Sequence, residues 1–165
     1  MKKTLKVLLA LVVLVLVLIQ FDGLADKLPG VHEVHLVKPP DLPFQAAHTL
    51  EAVANPPEDV KTLLRNACYD CHSHTTRWPW YSNVAPTKWF VTEHVNLGRR
   101  KVVYSAIGEE TEADRAHVFE ESAEIVREGG MPLESYVWTH SDAKLSADDR
   151  KKLADWFDAE AKKLK

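Results

Sequence analysis

Cys68-Tyr69-Asp70-Cys71-His72 is the stretch on which the reading of this chain turns. It holds the only two cysteines among 165 residues, and a histidine follows the second one directly. Two thiols with two residues between them reach the two vinyl groups on adjacent pyrrole rings of one haem, each forming a thioether. The imidazole that follows is then directed at the iron from one face. The spacing therefore assigns Cys68 and Cys71 as covalent attachment points of a single haem c, and His72 as an iron ligand. Other readings of the same residues are weaker. A disulfide oxidoreductase places C-x-x-C at a helix start in a βαβ setting, whereas here an apolar helix leads into the motif. A structural zinc site needs four ligands, and no second cysteine pair exists. A disulfide closing so small a loop is strained.

A haem that only carries electrons needs a second axial ligand. Met131 is the candidate, because Met1 is the only other methionine. It sits in Gly129-Gly130-Met131-Pro132, where the glycines release the backbone from a helix and the proline stiffens the residue behind it. The competing reading is that Met131 fills a gap in the core. Among the histidines, His74 is too close to His72 to reach the opposite face. His94 and His140 read as surface or hydrogen-bonded histidines before they read as ligands. His32 and His35 have no third ligand near them in sequence, so exposure is their reading.

Working outward, apolar residues recur at helical spacing. Asn55, Pro56, Pro57 and Glu58 read as a helix start, and Val60, Leu63, Leu64 and Ala67 carry that helix into Cys68. A second helix is expected over 86–98, with Trp89, Phe90 and Leu97 on one side and Gly98 as its stop. A third is expected over 112–128, with Ala116, Phe119, Ala123 and Val126 inward and Gly129-Gly130 ending it. The last opens on Ser146 and Asp149 as a near capping box and continues through Leu153, Trp156, Phe157 and Leu164. No stretch alternates over strand length, so the domain is expected to be all-α.

Residues 1–25 read as a signal peptide or membrane anchor. Lys2, Lys3 and Lys6 form a charged start, and residues 7–19 are an unbroken apolar run. That run suits a signal peptide, and Gly23 and Ala25 are spaced for cleavage after Ala25. Residues 4–21 are also just long enough for membrane association as an uncleaved span. Both readings leave the positive flank inside and put the rest of the chain outside the cytoplasm, in the periplasm or on the outer face of the inner membrane. Residues 26–54 read as a Pro-rich linker unable to hold a helix, since six of the nine prolines fall between Pro29 and Pro57. Residues 55–165 then form the domain. The net charge of −3, with no basic stripe, argues against a nucleic-acid partner.

Five tryptophans are many for this length. Trp78, Trp80, Tyr81 and Trp89 follow the haem motif and are candidate walls for the porphyrin, with ordinary core aromatics as the alternative. Arg99 and Arg100 are candidate partners of the haem propionates, with a solvated helix end as the alternative.

Taken in order, several segments resemble the small bacterial haem-binding domain proteins of cytochrome c type. They are Cys-Tyr-Asp-Cys-His-Ser (68–73), Trp-Pro-Trp-Tyr-Ser-Asn (78–83), Ala85-Pro86 with Trp89, and His94-Val95 followed by Gly98-Arg99-Arg100. Further on come Gly130-Met131-Pro132-Leu133, Tyr136 with His140, and Ala143-Lys144-Leu145-Ser146. The resemblance covers about residues 55–160, and residues 101–112 follow the pattern only loosely. It implies an all-α, cytochrome c-like domain, a periplasmic or membrane-anchored location, haem attached through the motif cysteines, and the Met-Pro loop as donor of the sixth ligand. The expected function is one-electron transfer with redox proteins as partners, and no acid–base pair suggests a self-standing enzyme. The alternative is a haem sensor or peroxidase-like module with a displaceable sixth ligand.

Overall fold

The structure is a computed structural model, and it describes residues 2–20, 38–43 and 45–165. The expected cleavage point after Ala25, and His32 and His35, lie outside these residues. Every regular element among the described residues is helical. The chain divides into two compact units, one of residues 1–39 and 78–96 and the other of residues 40–77 and 97–165.

The first unit contains helix α1, Lys2–Leu18. Its leucines and valines are exposed along its length. Among the described residues no helix is long and apolar enough to cross a membrane. Gln20 makes a two-way bond with the main chain of Ala85: Ala85 N donates to Oε1 at 2.9 Å, and Nε2 donates to Ala85 O at 3.2 Å. Lys38 donates to Ser82 Oγ and Asn83 Oδ1 at 3.0 and 2.7 Å. Its Nζ lies 4.7 Å from the centre of the Trp78 ring.

The second unit holds the core. Helix α2 is Leu50–Ala54, α3 is Glu58–Ala67 and α4 is the single turn Tyr69–His72. Helix α5 is Thr87–Lys101, whose residues from Leu97 onward count with this unit. Helix α6 is Glu112–Arg127, α7 is Glu134–Val137 and α8 is Ala147–Lys163. The most extensive packing is between α6 and α8. Phe119 and Phe157 meet there with ring centres 5.9 Å apart, and both are buried. Burying each is worth about 1.5–3 kcal/mol. Leu50, Val60, Leu64, Tyr104 and Leu153 belong to the same core, and Cys68 and Met131 pack against it.

Local chemistry explains the helix ends. Ser146 and Asp149 form a full capping box at the start of α8. Thr111 Oγ1 accepts from Asp114 N at the start of α6. Helix α6 ends in a Schellman motif: Gly130 N donates to Ile125 O at 2.9 Å and Gly129 N donates to Val126 O at 3.1 Å. Gly129 has φ +82°, a conformation glycine adopts without strain.

Three expectations require correction. The supposed linker contains the one-turn 3-10 helix Ala46–His48 and helix α2, so the folded part begins before residue 55. The stretch between Pro43 and Pro56 is free of proline, and Thr49 caps it by accepting from Ala52 N. Asn55 is not the cap of α3. It ends α2 in the left-handed conformation, φ 42°, and Pro57 occupies the cap position of α3. Finally, Gly98 does not stop α5, which runs on to Lys101. The buried side of α5 is Thr92, Val95 and Gly98, whereas Phe90 and Leu97 are 52 % and 44 % exposed.

Candidate functional site

Helix α3 delivers Cys68 at its C-terminal end, where Cys68 N donates to Leu64 O at 2.9 Å. The next turn folds back on Cys68: Cys71 N and His72 N both donate to Cys68 O, at 3.2 and 3.0 Å. The two cysteines and the histidine therefore share one turn, and both cysteines are free thiols. Burial, then the neighbouring Cys71, pushes the Cys68 thiol up to about 12. Burial, then the Asp70 carboxylate, pushes Cys71 up to about 11, with Arg99 opposing. Both are uncharged at neutral pH. A disulfide oxidoreductase needs a depressed, reactive thiolate, so this chemistry weighs against that alternative. Among the described residues no group of three or more His, Cys, Asp or Glu side chains is placed to hold a metal ion.

His72 donates from Nδ1 to Val102 O at 3.3 Å. With the proton on Nδ1, Nε2 keeps its lone pair for a metal, and the carbonyl fixes the ring and raises its basicity. Burial holds the imidazole below its usual pKa, so it is neutral, as a ligand must be; the carbonyls of Val102 and Gly98 oppose the shift. Tyr104 lies beside the ring at 6.0 Å between centres. It also stacks on Phe157 at 5.9 Å and bonds Ser122 Oγ at 2.8 Å. The 3-10 helix Tyr104–Glu109 thus supports His72 from within the region that resembles the family least.

Gly98 approaches the motif closely. A Cβ there would lie 2.7 Å from Cys71 O and 3.0 Å from Cys71 Cβ. Arg99, next along the helix, is not a solvated end. It donates from Nη1 to Pro40 O at 2.8 Å and from Nη2 to Thr76 Oγ1 at 3.1 Å, and it lies 3.5 Å from Asp41. Its Nε is buried without a partner. A largely enclosed guanidinium whose buried Nε is an unused donor suits an anionic group such as a carboxylate. Two uncharged thiols, a neutral imidazole that donates from Nδ1 and a spare cationic donor together fit a haem.

A family model described as a haem-binding domain matches residues 30–159. The chain belongs to the haem-binding domain family. No curated protein and no solved structure matches it.

Of the residues expected to form the site of this haem-binding domain, Cys68, Cys71, His72, Arg99, Arg100 and Met131 fall in the second unit. Met131 is partly buried, and Arg100 is exposed. Trp78, Trp80, Tyr81 and Trp89 fall in the first unit. Trp80 is 78 % exposed and meets Tyr81 edge-on at 5.9 Å. His94 donates from Nδ1 to Phe90 O at 2.7 Å. His140 stacks on Tyr136 at 4.0 Å and donates to Tyr136 O at 3.0 Å, so both histidines have local partners.

The sequence reading gave no role to Asp70 or Tyr136, though both lie in its motifs, and it missed Arg77 and Arg150. Asp70, between the two cysteines, is only 6 % exposed. Arg77 Nε donates to its Oδ1 at 3.0 Å, Arg77 Nη2 donates to Oδ2 at 3.2 Å, and Tyr136 Oη donates to Oδ2 at 2.7 Å. Burial, then the hydrogen bond to this carboxylate, raises the Tyr136 pKa. An acidic residue between the two cysteines was the one sequence signal for such partners, because a carboxylate that folding buries must be paired.

Proposed function

We propose that this chain is an exported monohaem c-type cytochrome that passes single electrons between redox proteins. Cys68 and Cys71 hold haem c through two thioethers, and His72 and Met131 ligate its iron. The reading is carried by the turn Cys68–His72, which joins two unpaired, uncharged thiols to an imidazole that donates from Nδ1 to Val102 O. Each thiol adds across a vinyl C=C, its sulfur going to one carbon and its hydrogen to the other, so attachment needs no oxidant. Bound haem supplies the one-electron chemistry. The Val102 carbonyl keeps His72 in the ligating tautomer. The Met131 thioether favours ferrous iron and hence a relatively high potential. The spare Arg99 Nε is the best-supported propionate partner. The three lysines at the start of α1 and the apolar run that completes it support export to the periplasm or the outer face of the inner membrane.

The test is production of the full chain alongside c-type maturation machinery, read by intact mass and by absorbance after reduction. The mass is expected to rise by one haem, and the colour to survive acid–acetone extraction. Loss of all colour on extraction overturns covalent attachment. Met131→Ala is expected to change the visible spectrum and lower the midpoint potential. An unchanged spectrum and potential would remove Met131 as a ligand. Rapid, tight carbon monoxide binding by the reduced wild type would move the reading to a sensor or peroxidase-like module.

A further inference from the structure

Met131 lies in a segment fastened on both sides. On the upstream side Arg150, from α8, donates through Nη1 to Met131 O at 2.7 Å and to Val126 O at 3.1 Å. Met131 N donates to Ile125 O at 3.3 Å. Gly130 sits so tightly that a Cβ would come 2.5 Å from Ile125 Cδ1. On the downstream side Tyr136 reaches back across 66 residues to Asp70, inside the haem motif. The same hydroxyl lies 3.3 Å from Asn66 O, at the end of α3. Arg77 donates to both oxygens of the Asp70 carboxylate, and its main-chain N also donates to Oδ1 at 3.2 Å.

Packing alone does not require this arrangement. Helices α6 and α8 already have their own caps and share the Phe119–Phe157 contact. A buried carboxylate is costly to desolvate, and an apolar side chain often holds such a place equally well. What the carboxylate adds is direction, because it joins the turn bearing Cys68, Cys71 and His72 to the segment bearing Met131. Methionine has three rotatable side-chain bonds and is a weak ligand. Its occupancy of a metal depends on how closely its backbone is held, since each freedom left to the loop lowers the effective concentration of the thioether.

We infer that Arg150 and the Tyr136–Asp70 pair are positioning residues that fix where Met131 is presented relative to the C-x-x-C-H turn. The inference rests on Met131 being the sixth ligand. Without the brace the segment still folds, but the thioether leaves the iron more often.

The experiment uses the haem-loaded full chain and its variants Tyr136→Phe, Arg150→Gln, Arg150→Lys, Met131→Ala and Phe119→Leu. The carbon monoxide binding rate of the reduced protein reports how often the sixth position is open, and amide hydrogen exchange over residues 130–137 reports the loop directly. Loss of one hydrogen bond to a charged group is expected to raise the open fraction about ten- to hundredfold. Tyr136→Phe and Arg150→Gln should show that gain in rate together with faster exchange over 130–137. Arg150→Lys should restore part of the slow rate. Phe119→Leu lies in the core away from the brace, and should lower thermal stability while leaving the rate alone. Wild-type rates in folded Tyr136→Phe and Arg150→Gln, beside a raised rate in Met131→Ala, overturn the brace and spare the ligand assignment. A wild-type rate in Met131→Ala overturns the ligand assignment itself, and the brace with it. A rise in Phe119→Leu equal to that in Tyr136→Phe also overturns the brace, because general loosening would then account for both.

Discussion

Gly98 shows how one residue can be read correctly as special and wrongly as to why. Its place near the end of an apolar stretch suggests a helix stop, yet the helix continues and Cys71 lies against its α-carbon. Two effects oppose each other in Gly98→Ala. Alanine is the better helix former by up to about 1 kcal/mol. Its Cβ, however, would sit 2.7 Å from a backbone oxygen that cannot rotate away. Overpacking of this kind typically costs about 1–3 kcal/mol, so the net effect is destabilising. Gly98→Ala should lower the urea midpoint of the full chain and the yield of haem-loaded protein. A variant as stable and as well loaded as wild type would mean that the two backbones have room to part. At this scale the turn shared by Cys68, Cys71 and His72, and the glycine-ended helix before Met131, were legible because their signals are local in the chain. Asp70, Tyr136 and Arg150 were not, because each acquires its role from a partner far along the chain.

Among the elements, the long amphipathic helices were the most legible. Ala116, Phe119, Ala123 and Val126 of α6 are all buried, as their spacing implies, and the Ser146–Asp149 capping box of α8 is complete. Helix α5 lies where its pattern puts it, but its apolar stripe is only partly buried. Of the predicted stripe Trp89 is half-buried and Phe90 and Leu97 are exposed, whereas Thr92, Val95 and Gly98 are buried. Helix α2 is hidden by prolines on both sides of it, which lend the whole stretch the composition of a linker. Leu50 makes the difference measurable. It is completely buried in the core shared by α3, α6 and α8. Leu50→Ala should therefore cost about 2–5 kcal/mol, the range for a leucine lost from a packed core. Urea unfolding of the full chain checks this. A linker residue would show almost no change, and a cost near zero would return residues 46–54 to the tether.

On the scale of the whole haem-binding unit, the organising fact is that α8, near the C-terminal end, closes over α3, the helix that leads into the motif. Leu64 of α3 and Leu153 and Phe157 of α8 share one core. Lys152 adds an ion pair to Asp59 at 2.7 Å, spanning 93 positions. The hydrogen bond from Lys152, then that from Val60 N, holds the Asp59 carboxyl below its usual 3.8. The same bond to Asp59 raises Lys152 above 10.5, and Asp148 and Asp149 add to that shift. A carboxyl depressed by folding contributes stability that is present above its unfolded pKa and lost as pH falls through the folded one. An ammonium raised by folding contributes stability that is present below its unfolded pKa and lost as pH rises through the folded one. The pair therefore acts across the broad range between these limits, and its effect is small because both groups face water. The expected result is a slight, constant gap in urea midpoint between wild type and Asp59→Asn through neutral pH, closing as pH falls below about 4. Salt at 1 M should shrink that gap at pH 7, because exposed charges are screened. A gap that persists unchanged at pH 2, where the carboxyl is protonated, would mean that the substituted amide harms the start of α3 directly and that charge has no part in tying the motif helix to the last one.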